Sequence, residues 1–116
     1  LYDMLSDLQD VIILPAATEH ADPSWFGFPI TVKRSAPISR FELINTLDGR
    51  KIGTRLLFAG NLTRQPSMKG QKFRIADKLD VTDTIMNDTF WVGVHPALSE
   101  EMLSFVSKVI HKALRH

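Results

Sequence analysis

The amino-acid sequence predicts a small α/β domain, of the two-layer α+β kind, with a three-stranded sheet and helices packed on one face. Three runs of aromatic, β-branched or aliphatic residues have the composition of strands, at residues 25–32, 52–58 and 89–94. Amphipathic segments with helix-capping residues lie between and after these runs. A chain of 116 residues that is 44% hydrophobic is long enough to bury one core. We therefore expect one domain over residues 1–116, with strands in mixed or antiparallel order.

The N-terminal third contains a helical segment, a short apolar run and the first strand. Apolar residues recur at helical spacing at Leu1, Met4, Leu5 and Leu8. This helix should end near residue 10, and the apolar run that follows ends at Pro15, which has no amide hydrogen to donate. In the first strand, Pro29 indicates an edge position or a bulge. Because the helical spacing begins at the first residue, which is not Met, we expect a piece of a longer protein; a processed terminus is the alternative.

Capping residues predict a second helix over residues 40–48. Ser39 followed by Glu42 is a capping box, in which each residue can bind the backbone amide of the other. The apolar face of this helix should carry Phe41, Ile44 and Leu47. Gly49 follows at the position where left-handed backbone often ends a helix. The helix therefore connects the first strand to the second.

The second strand, at residues 52–58, runs into a turn at Gly60 and Asn61. Residues 65–72 are polar and include a proline and a glycine, which predicts an exposed and mobile loop. The turn and the loop together separate the second strand from the next helix.

The C-terminal third predicts a short helix at 82–86, the third strand at 89–94, and a long amphipathic helix. His95 and Pro96 should end the strand, and Ser99 should cap the last helix. The apolar stripe of that helix is Met102, Phe105, Val106, Val109, Ile110 and Ala113. Its spacing of three and four residues is typical of a helix packed on a core.

Positive charge is concentrated between Arg50 and Arg74, although the net charge of the chain is only +1. Seven basic residues and no acidic residue lie in this stretch: Arg50, Lys51, Arg55, Arg64, Lys69, Lys72 and Arg74. A solvated loop is one interpretation. A nucleic-acid patch is disfavoured, because exposed aromatic residues do not alternate with the charges. An anion site is the third interpretation, since Arg55 and Arg64 flank the turn and guanidinium groups bind diphosphates through paired hydrogen bonds.

Other chemistry has little support in the sequence. The histidines His20, His95, His111 and His116 are scattered or at a helix end, so no metal site is expected. Asp77, Asp80, Asp83 and Asp88 are interpreted as turn and cap residues, because no basic residue is spaced to pair with them. Acceptor patterns for glycosylation at Asn61 and Asn87 are interpreted as coincidences. Without cysteine the chain forms no disulfide, and an intracellular location is favoured; no apolar run is long enough to span a membrane.

Three stretches carry a family resemblance. They are Ser-Trp-Phe-Gly-Phe-Pro-Ile at 24–30, Gly-Thr-Arg-Leu-Leu-Phe-Ala-Gly-Asn-Leu-Thr-Arg-Gln-Pro at 53–66, and Ile-Met-Asn-Asp-Thr-Phe-Trp-Val-Gly-Val-His-Pro at 85–96. In this order they resemble the C-terminal part of the sugar-nucleotide dehydrases related to the DegT/DnrJ/EryC1/StrS aminotransferases. The middle stretch is the most specific, because the other two contain residues common in many strands.

The resemblance implies a fold-type I pyridoxal-phosphate enzyme of which residues 1–116 would be the small C-terminal domain, closing over the substrate. The implied reaction removes the 3-hydroxyl of a CDP-linked 4-keto-6-deoxyhexose in dideoxysugar and O-antigen synthesis, with pyridoxamine phosphate (PMP/PLP) as the cofactor. The cofactor, a histidine in place of the usual lysine, and a 2Fe–2S cluster would belong to the large N-terminal domain. This chain alone would bind no cofactor and be inactive.

The resemblance further implies a cytoplasmic homodimer that acts on a nucleotide sugar, with a reductase as partner and with neither nucleic acid nor membrane bound. The substrate-binding candidates of this chain are Asn61, Arg55, Arg64, Trp25 and Asn87. Core packing is the alternative for Trp25 and Trp91, and capping of the sheet edge is the alternative for Arg55.

Two other functions stay open at this point. The same domain occurs in sugar-nucleotide aminotransferases, in which a lysine occupies the cofactor position instead of the histidine. The other possible function is not enzymatic. In it, the chain is a free-standing interaction module whose basic loop binds an acidic partner. It predicts a chain without a large exposed apolar patch, whereas a small domain should expose the surface that meets its large domain.

Overall fold

The computed structural model describes residues 1–115, and His116, which the sequence analysis placed at a helix end, lies outside the described residues. The helices and strands of the described part are α1 (Tyr2–Leu5), β1 (Ile12–Ile13), β2 (Gly27–Val32), α2 (Arg40–Gly49), β3 (Thr54–Leu56), α3 (Asp80–Asp88), β4 (Thr89–Gly93) and α4 (Glu100–Leu114). Single 3₁₀ turns occur at Ser6–Leu8, Leu62–Arg64 and Pro66–Met68. The predicted elements are all present, with strands shorter and the 82–86 helix longer than expected.

The sheet is antiparallel throughout, with strand order β1-β2-β4-β3. The sequence predicted three strands, and the structure has a fourth, β1, in the short apolar run before Pro15. This strand was missed because only two of its residues pair, too few to show an alternating pattern. Since β1 pairs only with Thr31 and Val32, Pro29 has a neighbouring strand on the β4 side alone. The strand β2 is interior, not the edge strand that Pro29 had indicated, and the proline is tolerated because β1 does not extend to its position.

The hydrophobic core lies between one face of the sheet and three of the helices. Its strand residues alternate along each strand, as in Ile30 and Val32 of β2 and Phe90 and Val92 of β4. The helical segments contribute Leu5, Leu8, Leu43, Leu47, Ile110 and Leu114. These residues confirm that helices pack on one face. The short α3 contributes no residue to this core.

The second helix, α2, begins where the sequence predicts. Its buried face and its C-terminal end differ from the prediction. Ser39 Oγ accepts from the amide of Glu42, and the Glu42 carboxylate accepts from the amide of Ser39, so the capping box is confirmed. The prediction that Phe41 shares the apolar face is wrong, because Phe41 is 68% exposed. It lies roughly 120° around the helix from Leu47, off the buried stripe. The left-handed residue after the helix is Lys51, with φ 64°, rather than Gly49.

The opening segment is fastened to the last helix by charged groups. The first helix is shorter than predicted, ending at Leu5 and continuing as a 3₁₀ turn. His111 Nε2 lies 2.9 Å from Asp7 Oδ1, and Arg115 makes two hydrogen bonds to the carboxylate of Asp10. His111 and Arg115 hold the pKa of Asp7 and of Asp10, respectively, below the ordinary value. Ser99 caps α4 by accepting from the amide of Met102, as predicted.

Candidate functional site

The chain reverses direction after β3 in a segment that we call the 57–64 turn, from Leu57 to Arg64. Its backbone is left-handed at Phe58, with φ 47°, and at Gly60, with φ 62°. The amide of Phe58 donates to the carbonyl of Leu56, and that of Gly60 to the carbonyl of Leu57. A left-handed conformation is unfavourable for a residue with a side chain, so the rest of the fold must hold Phe58 in place.

Asn61 lies inside this turn and is only 2% exposed. Its Nδ2 donates to Asp83 Oδ1 at 2.7 Å. Its Oδ1 accepts from the amide of Thr63 at 3.1 Å and from the Thr63 hydroxyl at 2.7 Å. The amide group is thus engaged within the domain, and a direct contact between Asn61 and a substrate stays a prediction.

Arg64, at the end of the turn, binds the same carboxylate with two hydrogen bonds. Its Nε lies 3.2 Å from Asp83 Oδ1, and its terminal nitrogen lies 2.7 Å from Asp83 Oδ2. The hydrogen bonds from Arg64, and then from Asn61, hold the pKa of Asp83 below its ordinary value, and Asp83 raises the pKa of Arg64. The prediction that no basic residue pairs with Asp83 is wrong. The partners are 19 residues apart in sequence, and only the fold brings them together.

The turn has a covered side and an open side. A Cβ added to Gly60 would lie 2.4 Å from Met86 Cγ, so the turn packs directly against α3. On the other side, Phe58 is 81% exposed and Leu62 is 64% exposed. Such exposed apolar side chains on an ordered turn are available for contact with another molecule or domain.

Aromatic residues gather on the sheet face opposite the core, which we call the outer face. The ring of Trp91, in β4, is met edge-on by Phe26 and by Phe58, each at a centroid distance of 5.2 Å. A Cβ on Gly27 would lie 2.9 Å from the Trp91 ring, so glycine allows the indole to lie close to the sheet. Trp91 is half-buried in this group and outside the core. The interpretation of Trp91 as a core aromatic is therefore wrong.

Arg55 lies on the same outer face, directly across from Trp91 in the β3–β4 pairing. One terminal nitrogen donates to the carbonyl of Thr54 at 2.8 Å, and the side chain is exposed. It borders a shallow cavity of about 280 Å³ whose wall includes Phe26, Thr54 and Trp91. Because β3 is also the edge strand of the sheet, both sequence interpretations of Arg55, edge cap and binding residue, agree with its position.

The other two predicted residues lie apart from the turn network. Trp25, at 43% exposure, precedes β2, and its interpretation as a core aromatic is wrong. Asn87 is exposed on α3, four residues after Asp83. Neither side chain makes a hydrogen bond within residues 1–115. The fold therefore joins Asn61 and Arg64, places Arg55 on the nearby outer face, and leaves Trp25 and Asn87 as separate exposed groups.

The three histidines within residues 1–115 each contact a different partner. His20 pairs with Glu19 at 3.4 Å, His95 Nδ1 accepts from the amide of Ala97, and His111 binds Asp7. Within residues 1–115 no group of three metal-binding side chains converges. In the same part of the chain, no helix combines the length and apolar character needed to cross a bilayer.

A second, larger cavity of about 750 Å³ lies between the end of β4 and the first half of α4. Several of its apolar lining residues are exposed: Val94 at 46%, Leu98 at 37%, Met102 at 54% and Phe105 at 46%. Exposed apolar side chains that line a groove in this way are available for contact with another molecule or domain.

Comparisons with known proteins give a consistent result. The model of the DegT/DnrJ/EryC1/StrS aminotransferase family matches residues 1–111. The lipopolysaccharide biosynthesis protein RfbH of Salmonella typhimurium is 53% identical over 102 residues, which cover 88% of this chain and 23% of that protein. The dTDP-4-dehydro-2,6-dideoxy-D-glucose 3-dehydratase of Saccharopolyspora spinosa is 48% identical over 99 residues, covering 85% of this chain and 21% of that enzyme.

Solved structures share the fold. The E. coli GDP-4-keto-6-deoxy-D-mannose-3-dehydratase with bound hydrated PLP aligns with a TM-score of 0.82 at 21% identity, covering 94% of this chain and 28% of that one. A DegT DnrJ EryC1 StrS aminotransferase from Brucella abortus aligns with a TM-score of 0.80 at 19% identity, over 98% of this chain and 29% of that one. The chain thus spans between a fifth and a third of the length of these relatives.

Proposed function

We propose a function from one premise, that this chain belongs to the DegT/DnrJ/EryC1/StrS aminotransferase family, whose model matches residues 1–111. The chain is the small C-terminal domain of a longer enzyme, and residues 1–116 form that single domain. The full-length enzyme is a pyridoxamine-phosphate-dependent 3-dehydrase of a nucleotide-linked 4-keto-6-deoxyhexose. This domain closes over the substrate and is inactive by itself.

The observation that carries the dehydrase assignment is the identity to enzymes of that reaction. A relative named as a 3-dehydratase of a dTDP-linked sugar is 48% identical over 85% of this chain. A second, named GDP-4-keto-6-deoxy-D-mannose 3-dehydratase, from Yersinia pseudotuberculosis, is 30% identical over 81% of it. These relatives differ in their nucleotide and share removal of a 3-hydroxyl. The identity to RfbH, which is named as a lipopolysaccharide biosynthesis protein, supports O-antigen synthesis as the pathway. The choice of CDP-4-keto-6-deoxyglucose as the substrate rests on the resemblance of the sequence.

The exposed groups of the outer face form the substrate-facing surface in this proposal. Arg55 supplies a guanidinium beside an aromatic-walled cavity, a combination that suits a diphosphate next to a flat ring. Trp25 and Asn87, which are both exposed, are the further contact residues. Asn61 and Arg64 contribute by shaping the turn, because their polar groups are engaged with Thr63 and Asp83.

The cofactor belongs to the part of the full-length protein outside this chain. When bound there, pyridoxamine phosphate supplies the amine and the electron sink that the reaction needs. A 2Fe–2S cluster, if the CDP-sugar chemistry is used, takes its cysteine ligands from the same part, since this chain has none. In this proposal the full-length enzyme is a cytoplasmic homodimer that has a reductase as its partner.

The exposed groove beside α4 favours the small domain over a free-standing interaction module. A module that folds and works alone has no need of an apolar surface formed by Val94, Met102 and Phe105. A small domain needs such a surface to meet its large domain. Sugar-nucleotide transamination is the second candidate function, because the family model bears the aminotransferase name. It predicts that the full-length protein consumes an amino donor and that no 3-hydroxyl is lost.

The proposal is tested by Arg55→Ala in the full-length protein. We expect an increase in KM for the nucleotide sugar on the order of tenfold, since a charge-assisted contact to a phosphate is lost, with cofactor binding unchanged. Arg34→Ala is the matched control, because Arg34 is also exposed and lies in the turn after β2. Equal KM values for Arg55→Ala and the native enzyme would contradict the site. A product that retains its 3-hydroxyl and gains an amine would contradict the dehydrase assignment.

A further inference from the structure

We propose that Asp83 is a positioning residue that fixes the 57–64 turn and decides which arginine faces the substrate. This inference rests on the proposed function and adds a residue that the sequence analysis treated as a helix cap. The Asp83 carboxylate is the common acceptor for Asn61 and Arg64. Asp83 acts through these two residues, so it belongs to the support of the site rather than to its contact surface.

One carboxylate holds both ends of the 3₁₀ turn at Leu62–Arg64. Asn61 is the N-cap of this turn, and its side chain also accepts from the amide of Thr63. Arg64 is the last residue of the turn. Because Asp83 Oδ1 receives hydrogen bonds from both residues and Oδ2 receives a second one from Arg64, the two ends cannot move independently. The Asp83 side chain is only 24% exposed, which limits competition from water.

The same helix contacts the turn at a second point, which shows that the contact is built into the packing. Met86 lies three residues after Asp83, on the same face of α3, and fills the space beside Gly60. The helix then passes directly into β4 at Thr89, whose hydroxyl is 2.8 Å from that of Thr31 in β2. The position of the turn is therefore set relative to the two central strands of the sheet.

The pairing also separates the two arginines that flank the turn. Arg64 forms a salt bridge with Asp83, whereas the salt bridges of the described residues do not include Arg55. Arg55 is thus the guanidinium at the outer-face cavity with charge to offer an anion. Loss of Asp83 would release Arg64 and loosen the segment that carries Phe58, the aromatic residue against Trp91.

The test uses Asp83→Asn in the full-length protein, with Asp10→Asn as the matched control. Asn keeps the size of the side chain and removes its charge. Asp10 makes a similar two-bond pair with Arg115, at the junction of the opening segment and α4. We expect Asp83→Asn to raise KM for the nucleotide sugar on the order of tenfold with kcat changed less than about twofold, and Asp10→Asn to change neither. Hydrogen exchange should become faster in residues 57–64 and stay unchanged in α2.

A general loss of folding is distinguished by Arg64→Ala and the double variant. If Asp83 acts through Arg64, the double variant should show a KM no higher than the larger single effect. Independent, multiplying effects would overturn the inference. Unchanged exchange and KM in Asp83→Asn would overturn it while leaving the Arg55→Ala result, and with it the proposed function, intact. Faster exchange with unchanged KM would overturn both this inference and the place of the turn in substrate binding.

Discussion

Neighbouring residues of β4 meet opposite environments on the two faces of the sheet. Phe90 faces α2 and α4 and is fully buried, whereas Trp91 faces outward between the exposed rings of Phe26 and Phe58. The core face is closed mainly by apolar side chains. The outer face carries an arginine, an aromatic group and a turn held by polar bonds. Because side chains alternate along a strand, core packing and the proposed substrate-facing surface lie on opposite faces of the same short strand.

The largest expected effect is on the core face. Phe90→Ala should lower the free energy of unfolding of the chain by about 3–5 kcal/mol, because it removes a fully buried ring and leaves a cavity. Phe58→Ala on the outer face should cost less than about 1 kcal/mol, since that ring is mostly exposed. Urea unfolding of both variants measures the two values. Equal losses of unfolding free energy in the two variants would contradict the difference in burial between the two faces of the sheet.

Two glycine substitutions compare the stability cost of a new side chain on the covered side of the turn with its cost in an exposed loop. Gly60→Ala should cost about 2–4 kcal/mol, because a left-handed backbone is strained and the new Cβ overlaps Met86. Gly70 is also left-handed, at φ 81°, but a Cβ there would have no atom within 4 Å. Gly70→Ala should therefore cost only about 1 kcal/mol.

The difference between these two glycine variants, read from urea unfolding, reports the contact between the turn and α3. If both variants lose the same stability, the turn does not pack against Met86 as described. A rescue of Gly60→Ala by Met86→Ala, which clears the overlapping side chain, would confirm the contact from the other partner.

A smaller loss of stability is expected from removing a pair of hydroxyl groups on the outer face. The hydroxyls of Thr31 and Thr89 are 2.8 Å apart, and Thr89 is 3% exposed. Thr89→Val should cost about 1 kcal/mol, because it leaves the Thr31 hydroxyl without its partner. Replacing both threonines with valine should restore most of that loss. Additive losses in the double variant, measured by thermal or urea unfolding, would show that the hydroxyl pair contributes nothing.

Much of the fold follows from the sequence, because the signals that set it are local or periodic. The capping box at Ser39 and the strand compositions each depend on nearby residues, and both are confirmed. The stripe of α4 is confirmed in its second half, from Val106 to Ala113, whereas Met102 and Phe105 in its first half are exposed. The sequence left mixed and antiparallel order both open, because residues 57–88 separate β3 from its partner β4 and no local signal sets their direction. The two-residue β1 could not be predicted, since its pairing with β2 is decided by tertiary contact.

The candidate site was predictable only in part. The basic stretch and the turn predicted Asn61, Arg55 and Arg64 as substrate-binding residues, and the structure places them in or next to the turn. Their contact with a substrate stays a prediction. The partner carboxylate was missed because no local spacing relates Asp83 to Arg64. The burial of Asn61 was missed for the same reason, since a turn residue is exposed unless another element covers it. A single sequence gives little information about contacts between residues that are far apart in the chain.

The smallest effect concerns pH. The pKa values of Asp7, Asp10 and Asp83 are lowered by hydrogen bonds from His111, Arg115 and Arg64, respectively. A lowered folded-state pKa gives stability that is present above the unfolded pKa of about 3.9 and is lost as pH falls through the folded value. Stability from these groups should be level above about pH 5 and fall below about pH 4. Asp83→Asn should show a smaller loss between pH 7 and pH 3, and an unchanged loss would contradict the pairing.

In the proposed function, the outer face and the 57–64 turn bind a nucleotide-linked sugar. Hydrogen exchange in the full-length protein, measured with and without a nucleotide-linked 4-keto-6-deoxyhexose, tests this most directly. We expect slower exchange on substrate addition in residues 54–64, which contain Arg55 and Phe58, and no change in α2 behind the core. Protection of α2 with none in residues 54–64, at a substrate concentration that saturates the enzyme, would contradict it.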